Sequence, residues 1–522
     1  MTSVIGCQYQ SLTNLPMVFS LPIPSRYRRR KETNQTAQFE SDHGTTRKMS
    51  NCGIWNVLRD KRRIGWLRIS AAIVLASLIS FGSQLAAAMS DPLTNILSVP
   101  GGAGLGFATR MENSPYRYGG TRNDLIPLYL YEGKYVYLHA YRVGLKLYDM
   151  DDSRFDVFLA HRFEGFPYDR TPSSLVGMTV RAPGVDFGVS YQRSGSWGAV
   201  YTEYLHDITG ASRGHELHLG YNYEWKSERW QLRPQLMLAA RDARLNNYYY
   251  GVLPGEATAI RPAYQPGSGI NEQIGLYGVY SLTERWRLLA GVDATWWAKS
   301  VRNSPIVDNR VQISKALGLA YDFSPEYAIW PENKPLIVKV MYGKSTDCNL
   351  VSVMRLSCTS TRTTDQTRVS AIEVGRPFIE GLNGWPLDVI GYLGLVRHNE
   401  RGLQQDFWQI DADMKVFYFG FPWSDLVRTR VGFGVGISYA QKVPFVEQRD
   451  QALRGRNASK LLNYLDPSID ISVGDLFGIR TLSETYFGFG VSHRSGIFGT
   501  SQLFGNVNGG SNYIYSYIEF KL

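Results

Sequence analysis

His493 and Ser495 stand two residues apart near the end of a chain of 522 residues. On an extended strand, residues at that spacing share a face. The His493 imidazole can therefore take the proton from the Ser495 hydroxyl as it attacks an ester carbonyl. Other reactive types fit chemistry less well. His215 and His218 are three apart, a spacing that puts them on opposite faces of a strand, and His398 lies beside Arg397 and Glu400. All three read as solvated loop-end or interface residues. Cys348 and Cys358 lie in a polar stretch with no histidine close by. In an exported protein they read as a loop disulfide rather than part of a zinc site. The charged, non-alternating run 448–457 reads as solvated loop. No metal and no cofactor are expected.

Strands must position these residues, because nothing after residue 90 offers a long helical period or a long apolar run. Stretches of roughly 9–13 residues alternate in character instead, and about 9–11 residues is what a tilted transmembrane strand needs. Examples are 124–131, 134–141, 184–192, 214–225, 230–240, 274–282, 286–297 and 311–323. The chain holds 33 Tyr, 23 Phe, 12 Trp and 51 Gly at a mean hydropathy of only −0.23. That combination suits a barrel in which only alternate residues face lipid and aromatics girdle both interfaces.

The net charge of +10 is concentrated at the start of the chain. Twelve of the 56 basic residues and four of the 46 acidic ones precede residue 89, which leaves 44 against 42 in the remainder. The folded part is nearly neutral, so no footprint for nucleic acid remains. Lys61-Arg62-Arg63, the apolar run 69–81 and Ala86-Ala87-Ala88 form the three parts of a signal peptide, cut after Ala88. The apolar run is too short for a membrane-spanning helix. Residues 1–48 fit no signal-peptide plan, and translation is expected to start at Met49. Cleavage removes Cys7 and Cys52 and leaves Cys348 and Cys358.

A segment with three prolines, 324–335, interrupts the alternation and reads as a linker. About twelve strand-like segments precede it and about eight follow: 335–343, 366–377, 386–398, 405–420, 427–441, 463–474, 482–494 and 511–522. Phe323 ends the first set, with Tyr321 two back and Gly318 five back, in the manner of a closing barrel strand. The last strand, with Ile518, Phe520 and Leu522 on one face, looks like a second closure. The expected fold is all-β: two tandem transmembrane antiparallel barrels, over 89–323 and 336–522. The competing architecture is one barrel of about 20 strands.

Two resemblances add to this reading. Up to Phe323 the chain resembles the MipA/OmpV family. The matching pieces are Gly101-Gly102-Ala103-Gly104-Leu105-Gly106, Pro115-Tyr116, Gly119-Gly120, Asp124, Pro127, Tyr131-Glu132-Gly133, Asn247-Tyr248-Tyr249-Tyr250-Gly251-Val252 and Ser304-Pro305-Ile306-Val307-Asp308. Members of that family include a scaffold between a murein synthase and a lytic transglycosylase. The resemblance thus implies an outer-membrane location in a Gram-negative envelope and such partners. The last forty residues, with Gly488-Phe489-Gly490-Val491-Ser492-His493-Arg494-Ser495-Gly496 and Asn508-Gly509-Gly510-Ser511-Asn512, resemble the PagL-like lipid A 3-O-deacylases. This implies an ester hydrolase working on lipopolysaccharide, with His493 as base and Ser495 as nucleophile. Asn512 stands where the family has an acid that orients the histidine. Gly496 stands where the family has an asparagine of the oxyanion hole. Glu519, the nearest downstream carboxylate, lies about 23 Å further along an extended strand. With a periplasmic C-terminus, His493 falls near the outer surface, where lipid A acyl esters sit. The implied function is a MipA/OmpV-type barrel fused to one that hydrolyses or binds lipid A. The alternatives are a purely structural scaffold with an inactive second barrel, and a passive transport channel.

Overall fold

Alternation produces strands here because one face of each must meet an apolar surround while the other fills a lumen. In the computed structural model, which describes residues 91–522 apart from 94–95, 98–101, 151, 167–170, 324–334 and 362, those strands close into two barrels. The expected extension 1–48, the signal peptide 49–88 and nearly all of the linker lie outside the described residues.

The first barrel contains β1 (Ala103–Asn113), β2 (Thr121–Glu132), β3 (Val136–His139), β4 (Arg142–Met150), β5 (Ser153–Arg162), β6 (Gly184–Gly195), β7 (Gly198–Asp207) and β8 (His215–Asn222). It continues through β9 (Trp225–Lys226), β10 (Trp230–Arg241), β11 (Gly269–Ser281), β12 (Trp286–Trp296) and β13 (Val311–Asp322). β13 pairs back onto β1, with Gly104 opposite Asp322, and β10 bridges β8 to β11. The two-residue β9 only extends the β10 edge, so twelve strands form the wall. The second barrel is β14 (Ile337–Ser345), β15 (Arg368–Ile379), β16 (Leu387–Asn399), β17 (Phe407–Tyr418), β18 (Thr429–Ala440), β19 (Leu461–Ser472), β20 (Thr485–Ser495) and β21 (Asn512–Lys521). It closes through β14 and β21, with Ile337 opposite Lys521. Two closed barrels, rather than a single large one, are therefore the architecture. No described helix is long and apolar enough to cross a membrane; the crossing elements are strands.

Outward positions such as Phe107, Leu317, Leu236, Ile372 and Phe489 remain about half exposed, as a lipid-facing wall requires. Inward positions carry paired charge. In the second barrel Lys339 meets Glu373 at 2.7 Å and Asp466 at 3.1 Å, and Lys415 meets Asp466 at 2.6 Å. In the first, Arg142 meets Glu203 at 3.0 Å and Arg162 meets Glu216 at 2.7 Å. His139 sits between Asp91 and Glu132, at 2.6 and 2.7 Å. Small barrels filled by side chains in this way are packed cores rather than pores.

The longest connections gather at one end of each barrel: 163–183, 242–268 and 297–310 in the first, 346–367, 441–460 and 496–511 in the second. Outer-membrane barrels carry long loops outside and short turns in the periplasm, so this end is extracellular. Three of the motif pieces of the first barrel meet there: Pro115-Tyr116, 247–252 and 304–308. Tyr116, Tyr249, Tyr250, Val252, Ile306 and Val307 share one buried cluster, with Ser304 Oγ donating to the Tyr250 carbonyl at 2.6 Å. These motifs thus build an apolar cap over the outer mouth.

An ion pair pins the cap. Arg181 grips Glu256 with two bonds of 3.1 and 2.7 Å, and the Thr179 and Leu253 amides add bonds of 2.8 and 3.0 Å. Burial pushes the Glu256 pKa up, but Arg181 and the two amides outweigh it and hold it at about 2, against 4.5 ordinarily. A depressed carboxylate stabilises fully above its unfolded pKa, and that support is lost as pH falls through the folded one. Hydrogen exchange across 242–268 should therefore be slow at pH 7 and accelerate between about pH 4.5 and 2, after correction for intrinsic rates. Glu256→Gln should abolish the transition. Equal protection at pH 7 and pH 3 in the native protein would refute this role.

One expected strand differs. The segment 134–141 is only the four-residue β3, because Ala140 adopts φ 51° and the chain reverses at Ala140-Tyr141 into β4. No glycine, asparagine or aspartate marks that turn, so the sequence carries no local signal for it.

Candidate functional site

β20 runs toward the long-loop end, and its alternation decides which side chains leave the barrel. Tyr486, Gly488, Gly490, Ser492 and Arg494 point inward; Phe487, Phe489, Val491, His493 and Ser495 point outward. Arg494 is fully buried, bonded to Glu447 at 3.2 Å and Ser438 Oγ at 2.7 Å. That inward anchor fixes the register that turns its two neighbours to the outer wall. Below them, Phe487, Phe489 and Ile518 form an exposed apolar belt.

Asn512 begins β21 directly opposite His493. Its Oδ1 lies 2.6 Å from His493 Nδ1, and its Nδ2 donates to the Cys348 carbonyl at 3.0 Å. The second bond settles the first. With the amide nitrogen committed to a carbonyl, the amide oxygen must face the ring, so Nδ1 carries the proton and Nε2 is left as the basic nitrogen. Cys348 is held in turn by a disulfide to Cys358, Cα atoms 5.7 Å apart, in a small cluster with Val353 and Val491.

No hydrogen bond joins His493 to Ser495 in this state; Ser495 Oγ accepts from the Ile497 amide at 3.3 Å. Catalytic contacts are often long before substrate binds. The Gly496 amide, which the resemblance offers to an oxyanion, donates instead to the Gly509 carbonyl at 3.0 Å. A Cβ on Gly496 would fall 2.0 Å from the Val507 carbonyl oxygen, so glycine is required there by close packing. Glu519 faces the lumen, held by Arg430 at 2.7 Å and Tyr392 at 2.8 Å, and has no route to His493.

The remaining histidines divide. His218 and His215 do lie on opposite faces, but His218 is inside, 3.4 Å from Glu203 and 3.2 Å from Glu216. His215 is outside, stacked on His206 with ring centroids 4.4 Å apart. His398 is likewise buried, against Gln409 and the Phe407 ring. Two of the three are thus lumen residues rather than solvated ones, because polar partners around each ring offset its burial: Glu203 and Glu216 for His218, Gln409 and Glu400 for His398. The run 448–457 overlaps the helix Phe445–Leu453 in the β18–β19 loop, at the same end as His493. Arg449 there binds Asp347 and Asp365.

Residues 102–323 match the profile of the family described as MltA-interacting protein MipA. Outer membrane protein Omp26La of Vibrio anguillarum is 30% identical over 160 residues, 30% of this chain and 62% of that protein. Outer membrane protein OmpV of Vibrio cholerae is 31% identical over the same length and shares. A 24 kDa outer membrane protein of Pasteurella multocida is 28% identical over 101 residues, 19% of this chain and 38% of its own. The chain thus spans less than two thirds of these relatives. Among solved structures, LpxR from Salmonella typhimurium aligns over 59% of this chain and 88% of its own at 12% identity and a TM-score of 0.17. The copper transporter OprC aligns over 81% and 80% at 9% identity and a TM-score of 0.22. With its strands closed as described and its matched relatives all in that membrane, the chain is an outer-membrane protein whose first barrel, residues 102–323, belongs to the MipA/OmpV family.

Proposed function

We propose that the second barrel hydrolyses acyl esters of lipid A on its outer wall, beside a first barrel that serves the envelope as a MipA-type scaffold. The observation that carries the enzymatic half is the His493–Asn512 pair: an imidazole oriented by an amide, on the lipid side of the extracellular end, with a serine two residues away. In this reading His493 Nε2 takes the Ser495 proton as Oγ forms its bond to the acyl carbon. The protonated ring then returns that proton to the departing sugar oxygen, and water releases the acyl group by the same route. Asn512 orients the ring. The Gly496 amide is committed elsewhere, so the Ile497 amide, which donates to Ser495 Oγ, is the backbone donor this reading assigns to the developing oxyanion. The acyl chain would lie along Phe487 and Phe489.

For the scaffold half, the family takes its name from a protein that interacts with MltA, and the capped, filled first barrel supports a binding role over a conducting one. Mass spectrometry of lipid A from cells expressing the protein tests the enzymatic half. Wild type should yield lipid A lighter by one acyl group, while Ser495→Ala should leave it unaltered. Identical profiles for wild type, Ser495→Ala and empty vector would refute hydrolysis and leave the scaffold reading alone.

A further inference from the structure

The short β3–β4 hairpin leaves a breach in the first barrel. β3 pairs only with Leu130, Tyr131 and Glu132 of β2, so the extracellular half of β2, residues 121–129, has no strand on that side. The breach is filled by the second barrel. The loop that leaves β20 at Ser495 places Gln502 in it, buried, with bonds to three parts of the first barrel's rim. Its amide donates to Asp124 Oδ1 of β2 at 2.6 Å, its Nε2 donates to the Phe163 carbonyl just past β5 at 2.8 Å, and its Oε1 accepts from Arg110 of β1 at 3.4 Å. The Leu125 amide, on the open edge, donates to the Thr500 carbonyl at 3.0 Å. Leu503, Phe504 and Val507 are buried in a cluster that includes Tyr141 and Phe163 of the first barrel.

The outer walls show the same complementarity. Tyr129 of β2 and Asn463 of β19 both point away from their own lumens, where lipid would leave a phenol and an amide unsatisfied. They are 6% and 5% exposed, and bond to each other. Ile497 and Phe498 in the docked loop both sit at positive φ, 51° and 56°, a conformation that persists only where the surroundings dictate it.

We infer that the breach in the first barrel is a docking site for the 496–507 loop of the second, which makes the two barrels one unit in the membrane. An open strand edge and its amides cannot be left facing hydrocarbon, so the first barrel is sealed only when the loop is in place. The dock also fixes the loop from its first residue after Ser495, and thereby the surroundings of that serine. It stands on geometry separate from the esterase reading.

The test uses the full chain with a protease site inserted within 324–334 and two cysteines, Leu125→Cys and Thr500→Cys. After mild oxidation in intact cells and cleavage, the two fragments should migrate as one species without reductant and as two with it. Leu125→Cys paired with Val340→Cys, on a strand away from the dock, should stay as two throughout. Heat-modifiable migration checks that each protein is folded. Separate fragments from a folded, oxidised Leu125→Cys/Thr500→Cys protein would overturn the dock. In a second arm, Asp124→Ala in the otherwise native chain should speed amide exchange across 497–507 at least tenfold while β14–β18 stay protected. Unchanged exchange in that loop would likewise overturn it.

Discussion

Asn512→Ala should lower the rate of lipid A ester release by about 10²–10⁴-fold, the range expected when a general base loses the group that holds its tautomer. The geometry sets the direction. Asn512 Oδ1 accepts from His493 Nδ1, and the orientation of that amide depends on the bond from Nδ2 to the Cys348 carbonyl. Without the amide, the imidazole can protonate on Nε2 instead, and that tautomer cannot take a proton from Ser495. The loss should appear in kcat, with KM little changed, because the amide lies behind the ring. Folding should suffer by only about 1–3 kcal/mol, the scale of two hydrogen bonds. Asn512→Asp makes a sharper comparison. A carboxylate stabilises the imidazolium better than an amide, but it has no proton for the Cys348 carbonyl. It should keep the activity and lose stability. Turnover by Asn512→Ala equal to that of wild type would remove Asn512 from the mechanism.

The largest effect on stability is expected at Asp466. This carboxylate is buried between Lys339 and Lys415, at 3.1 and 2.6 Å, and also accepts from the Tyr515 hydroxyl. Asp466→Ala would leave two buried ammonium groups to share Glu373 and Asp413. Removing one member of such a buried group costs about 3–5 kcal/mol, because the charges left behind have lost their compensation but not their burial. The variant should unfold at markedly lower urea concentration than wild type, read by heat-modifiable migration. The double replacement Asp466→Leu with Lys415→Met, which removes charge in a pair, should recover part of the loss. An Asp466→Ala protein as resistant as wild type would show that water reaches this part of the lumen and that the cluster is not a dry core.

Much of the architecture was legible in the sequence because a strand's period is local: the alternation in 427–441 or 482–494 depends only on neighbouring residues. The two closures were legible for the same reason, at Phe323 and at the chain end. That His493 and Ser495 share a face followed from their spacing, while the burial of Arg494 inside the barrel decided that this face is the outer one. Only the tertiary structure decided the rest. The reversal at Ala140 has no turn residue to announce it. The burial of His218 and His398 depends on carboxylates and rings of other strands. The commitment of the Gly496 amide depends on a carbonyl thirteen residues away, at Gly509. The docking of Gln502 onto Asp124 joins positions 378 apart in the chain. Period and composition specify which face of a strand is apolar; which partner finally covers that face is set by contacts between distant segments, and no local pattern encodes those.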